Sequence, residues 1–134
     1  MSWKPYAHLK ADEKAICKRW VSHIPIQGKR EYDVHLATPT LHAPAWWTKK
    51  DLSNWDAVTA KRIDMVVHAS DAIWIMEVTP KVSKAAVGGC LTYKELYEKE
   101  FKPSLPVKLG IICEMDDPAY HSVLKSNDIR LWVV

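Results

Sequence analysis

The stretch Lys61-Arg62-Ile63-Asp64-Met65-Val66-Val67-His68-Ala69-Ser70-Asp71-Ala72-Ile73-Trp74-Ile75-Met76-Glu77-Val78-Thr79-Pro80-Lys81 decides the fold. Ile63, Met65 and Val67 alternate with Asp64, Val66 and His68, the period-two pattern of a strand. Ile73, Ile75 and Val78 belong to a second run rich in β-formers. Residues 68–72 between them read as a turn, so the stretch predicts a β-hairpin. With Ser70-Asp71 as a two-residue loop, Ala69 pairs with Ala72, and the same register sets Asp64 opposite Glu77. Side chains so placed have Cβ atoms ~5 Å apart, and like charges there repel. A divalent cation with oxygen ligands would offset the repulsion, since Mg²⁺ often takes one or two carboxylates. Alternatively, one carboxylate points outward or pairs with Lys61, Arg62 or Lys81.

Around the hairpin the chain reads as alternating elements. Ile16, Cys17, Trp20 and Val21 form one stripe of a helix over residues 12–23, with Asp12 and Glu13 at its start and Pro25 beyond its end. A short strand is expected over 32–36. Residues 38–58 hold Pro39, Pro44, Trp46, Trp47 and Trp55 with little periodicity and read as a loop that covers a core edge or binds a partner. Ser83 suits the N-cap of a helix over 84–101, with Val87, Leu91, Tyr93, Leu96 and Tyr97 as its apolar stripe. Pro103 and Pro106 end it. Residues 107–113 are a nearly unbroken apolar run, the mark of a strand buried on both faces. A short helix over 118–126 and a strand over 129–134 close the chain. This order predicts an α/β (α+β) fold: a central mixed sheet with a hairpin and flanking helices.

Composition narrows the function. The chain has 134 residues, 48% hydrophobic and 26% charged, which excludes a disordered tail or a low-complexity linker. That length suits a single domain over 1–134, with a helix, a strand and a Trp-rich loop in 1–60 and the hairpin–helix–strand–helix–strand core in 61–134. No apolar run approaches a membrane span, and the first residues lack the apolar core of a secretory signal. A soluble, cytoplasmic protein without membrane contact is therefore expected. Cys17, Cys90 and Cys113 read as buried thiols in a reducing compartment. A net charge of +3 permits nucleic-acid contact without demanding it. The six histidines show no zinc-ligand spacing, and four glycines form no phosphate-binding loop.

Arg62-Ile63-Asp64, then Ile75-Met76-Glu77-Val78-Thr79-Pro80-Lys81, then Gly88-Gly89-Cys90-Leu91-Thr92-Tyr93, resembles the PD-(D/E)XK nuclease superfamily, most closely its RecB-like branch. In that pattern an Asp lies on one hairpin strand, the next strand carries Glu-x-Lys, and the following helix carries Gln-x-x-x-Tyr. The resemblance implies a nuclease-like core in which Asp64 and Glu77 hold Mg²⁺ or Mn²⁺. The backbone carbonyl of Val78 and, loosely, Glu13 on the first helix would join them. Tyr93 would face the site. Two positions depart from the pattern: Thr79 stands where the lysine belongs, and Gly89 where the Gln belongs. A threonine hydroxyl cannot supply an ammonium's charge. Lys81, on the same strand face as Glu77 if the strand continues through Pro80, or Lys84 at the helix start, would have to replace it. A solvated surface charge is the competing reading for both.

Two functions follow. The first is a catalytically impaired nuclease-fold protein that serves as a structural or DNA-contacting subunit of an assembly, such as a bacteriophage particle. Trp46, Trp47 and Trp55 would be its interface to protein partners or to a second copy. Its location would then be the virion. The second is an active Mg²⁺-dependent deoxyribonuclease with a migrated lysine. A sequence-specific DNA binder without chemistry has little support, because no helix presents an Arg/Asn reading face.

Overall fold

The computed structural model describes residues 9–23, 26–36, 45–51 and 61–134. Five strands form one mixed sheet in the order β1-β2-β3-β4-β5. They are β1 (Lys29–Leu36), β2 (Lys61–His68), β3 (Ile73–Lys81), β4 (Val107–Met115) and β5 (Ile129–Val133). Helix α1 (Ala11–His23) precedes the sheet, α2 (Lys84–Phe101) joins β3 to β4, and a 3₁₀ turn (Pro118–Tyr120) with α3 (His121–Ser126) joins β4 to β5.

β1–β2 and β2–β3 are antiparallel, while β3–β4 and β4–β5 are parallel. The two helical crossovers explain the switch, since parallel neighbours need a long connection and a hairpin does not. The hairpin closes on the expected two-residue loop. The Ala69 amide donates to the Ala72 carbonyl at 3.0 Å, and Met65 pairs with Met76 four rungs below.

Two apolar layers sandwich the sheet. On one face Val66, Ile75, Leu109 and Ile111 meet Ala86, Val87, Cys90 and Tyr97 of α2 and Leu124 of α3. On the other, Met65, Val67, Met76, Val78 and Ile112 meet Ile16, Cys17 and Trp20 of α1. Strand alternation assigns these faces: Ile75 and Glu77 look toward α2, Met76 and Val78 toward α1. The alternation breaks at one place. Tyr32 and Met65 lie on the α1 side, yet Val34 and Ile63, two residues on, join the α2-side cluster. Between Tyr32 and Val34, Asp33 has φ 52°, a left-handed turn of the backbone that Asp tolerates better than most residues.

The element bounds follow local chemistry. Ser83 caps α2 by accepting the Ala86 amide at 3.2 Å. Asp117 caps the 3₁₀ turn by accepting the Ala119 amide at 3.1 Å. The expected stripe of α2 is corrected at one position. Leu91 is 40% exposed, and Cys90 takes the buried place beside Val87, because 86, 87, 90 and 97 keep the helical period toward the sheet. β3 also runs through Pro80 to Lys81, which pairs with Met115. The imide nitrogen of Pro80 shares the direction of the Val78 amide, toward β2, whose ladder with β3 has ended by then. All three cysteines are buried thiols.

Candidate active site

The β2–β3 ladder is paired from His68–Ile73 to Met65–Met76. Continued at that register it would set Asp64 beside Glu77 and Ile63 beside Val78. Instead, the Val78 amide donates to Asp64 Oδ2 at 2.9 Å. The strands part here, and an aspartate side chain takes the place of a backbone carbonyl. The gap leaves room for the second carboxylate.

Glu77 projects from β3 toward α2. A Cβ built on Gly89 would lie 3.5 Å from Glu77 Oε2 and 3.7 Å from Tyr93 Cε2. The carboxyl of Glu77 therefore lies over the bare backbone of Gly89, with the Tyr93 ring beside it. Glu77 Oε1 is buried and has no hydrogen-bond partner. Burial first, then the charges of Asp64 and Glu13, push the Glu77 carboxyl up to about 9, against an opposing hydrogen-bond contribution at Asp64. Burial and the neighbouring negative charges thus favour the protonated form of Glu77. The same pair acts on its neighbours. Burial, then Glu77 and Asp64, raise the Tyr93 phenol, and burial, then Asp64, push the Cys17 thiol up to about 12. Cys90, whose Sγ donates to the Gly110 carbonyl at 3.7 Å, is raised by burial and the same two carboxylates. It is an inert thiol.

The fold thus brings Asp64, Glu77 and Tyr93 together, with the charge of Glu13 within reach. The part of Val78 that meets Asp64 is its amide, and its side chain lies in the α1-side core. Lys81 Nζ forms an ion pair with Asp117 at 3.8 Å, and the Thr79 hydroxyl donates to the Lys81 carbonyl at 3.0 Å. Lys84 is exposed at the first position of α2. Among the described residues, the charges that raise the Glu77 carboxyl are those of Asp64 and Glu13. Two carboxylates with an orphaned buried oxygen fit a hard divalent cation whose remaining ligands are water. Among the described residues no group of three His, Cys, Asp or Glu side chains converges on a metal position.

Trp46 is 77% exposed and meets Trp47 edge to face at 6.3 Å; Trp55 lies outside the described residues. Beside the tryptophans, Thr48 and Asp51 exchange hydrogen bonds at 2.8–3.1 Å, a reciprocal cap over helical residues 49–51. The Thr48-Lys49-Lys50-Asp51 spacing carried that signal within a stretch expected to be loop. Among the described residues no helix is long and apolar enough to cross a membrane. No family model, curated protein or solved structure matches this chain.

Proposed function

We propose that this chain is a nuclease-fold protein of the PD-(D/E)XK type, RecB-like in flavour, whose catalytic centre is impaired and which serves as a DNA-contacting or structural subunit of an assembly such as a phage particle. One observation carries the reading. Asp64 and Glu77 meet at the parting of the hairpin strands, while the lysine nearest in sequence on that strand is engaged by Asp117. A carboxylate pair without an ammonium can hold a cation but lacks a charge to orient or activate an attacking water. Glu77, whose surroundings favour its protonated form, must also lose that proton before it can ligate. Exposed Trp46 supports a protein interface.

The buried, unpartnered Oε1 of Glu77 favours a second reading, an active Mg²⁺- or Mn²⁺-dependent deoxyribonuclease, because a cation would satisfy it. Calorimetric titration with Mn²⁺, repeated on Asp64→Asn, and a cleavage assay on plasmid and single-stranded DNA separate the two. The proposal expects Mn²⁺ binding that Asp64→Asn removes, and no cleavage. Mg²⁺-dependent cleavage lost in Asp64→Ala would overturn it in favour of the enzyme.

A further inference from the structure

A cavity of about 290 Å³ opens at the N-terminal ends of β3, β4 and β5, lined by Trp74, Lys108, Lys125, Asp128 and Arg130 over an apolar floor of Leu124 and Ile129. Parallel register builds it. Trp74 pairs with Lys108, and Arg130 pairs with Gly110 two residues further along β4, so Lys108 and Arg130 share one face of the sheet a step apart. None of Asp64, Glu77 and Tyr93 lines this cleft, and Glu77 lies three residues further along β3 than Trp74, so the cleft is separate from the carboxylate pair.

Its walls are cationic and aromatic. Lys108 Nζ sits 5.6 Å from the centre of the Trp74 ring, and the Arg130 guanidinium 4.5 Å from that of Trp132. Trp74 and Trp132 meet edge to face at 5.7 Å, and Trp20 meets Trp132 likewise at 5.6 Å from α1. The half-buried indole of Trp74 is therefore fixed by packing, with one cation at its face. Lys108, Lys125 and Arg130 are exposed and form no ion pair among the described residues. Against these three cations the cleft holds one acid, Asp128. Fixed aromatic surface beside unpaired cations matches a ligand with both a flat π-face and phosphates.

We infer that this cleft binds single-stranded nucleic acid, with a base against Trp74 and phosphates on Lys108, Lys125 and Arg130. The inference rests on the proposed role in contacting nucleic acid but uses none of the residues of the carboxylate site. The stacking is indifferent to base identity, so the expected binding is not sequence-selective.

The test is fluorescence anisotropy with a labelled fifteen-nucleotide oligo(dT), run on the wild type and on Lys108→Gln/Arg130→Gln. Glutamine removes each charge while keeping a polar side chain, and a thermal melt checks that the double variant folds. Expected is a loss of affinity of about tenfold or more, and a salt dependence shallower by roughly 0.7 per phosphate contact removed. Quenching of tryptophan fluorescence by the oligonucleotide, and weaker competition by inorganic polyphosphate at equal charge, would support the stacked base; equal competition would overturn it. Lys125→Gln alone should weaken binding by a smaller factor. Equal affinity in wild type and folded double variant would overturn the cleft and leave the carboxylate reading standing. Mn²⁺ binding without oligonucleotide binding would do the same. Oligonucleotide binding lost in the double variant, in a protein that takes no Mn²⁺, would support the cleft and overturn the carboxylate site.

Discussion

Asp64 accepts the backbone amide of Val78 at 2.9 Å, in the position a continued β2–β3 ladder would give to the carbonyl of Ile63. One carboxylate thus does structural work at the parting of the strands and supplies charge to the site. The two roles separate by substitution. Asn keeps an acceptor for the amide, whereas Ala leaves a half-buried donor unmet, at about 1–3 kcal/mol. Denaturant unfolding at pH 7 should show Asp64→Ala destabilised by that amount and Asp64→Asn by much less. Equal loss in both would mean that charge, and not the hydrogen bond, stabilises the strand parting.

Glu77 makes stability depend on pH. Its carboxyl is raised from the ordinary 4.5 expected in the unfolded chain to about 9 in the fold. Between those values the folded protein holds a proton that the unfolded chain has lost. Stability therefore falls as pH rises through this window, at up to ~1.4 kcal/mol per pH unit. Below it both states are protonated and the effect vanishes. Glu77→Gln should accordingly raise Tm at pH 8, with the gain shrinking toward pH 4.5. A gain independent of pH would show that Glu77 is ionised in the fold.

Cation binding should follow the same proton. A divalent ion needs Glu77 ionised, so Mn²⁺ affinity should rise from pH 6 to pH 8.5, and calorimetry in buffers of different ionisation enthalpy should report proton release. Affinity flat across that range would mean that no proton leaves Glu77 when the ion binds.

The hairpin was legible because a two-residue loop leaves one register, but the parting of its strands at Asp64, past the Met65–Met76 pair, was not. Helix α2 was legible from Ser83 to Phe101 because a cap and two prolines bracket it. Which residue of the pair Cys90 and Leu91 turns inward was not, since both are apolar and the sheet's orientation decides. Nor could the sequence reveal that the Glu77 carboxyl is raised, because its burial depends on α2 crossing above it at Gly89. The basic cleft was hidden for a related reason. Trp74, Lys108 and Arg130 are far apart in the chain and meet only through parallel register.

Lys81 and Lys84 test the impaired-centre reading from the other side. Lys81 is 56% exposed and its pair with Asp117 is partly solvated, and such pairs contribute about 1 kcal/mol or less. Lys81→Ala and Lys84→Ala should each leave Mn²⁺ affinity unchanged and shift stability by less than about 1 kcal/mol. A nuclease activity that either substitution abolished would identify the migrated lysine and restore the enzyme reading.

Gly88 and Gly110 should respond oppositely to the same methyl group. A Cβ at Gly88 meets nothing within 4 Å. It lies on the exposed side of α2, where alanine restricts the unfolded chain and favours the helix, so Gly88→Ala should stabilise by ~0.5–1 kcal/mol. A Cβ at Gly110 would fall 2.6 Å from Met76 Cε and 2.6 Å from Trp132 Cζ3. Met76 is fully buried and Trp132 is held between Trp20 and Trp74, so neither can retreat without disturbing the α1-side core. Gly110→Ala should destabilise by ~1–3 kcal/mol and alter the near-ultraviolet circular dichroism of the three packed indoles. Chemical denaturation of the two variants side by side measures both signs. A neutral Gly110→Ala would mean that Met76 has room to repack and that the tryptophan row tolerates movement.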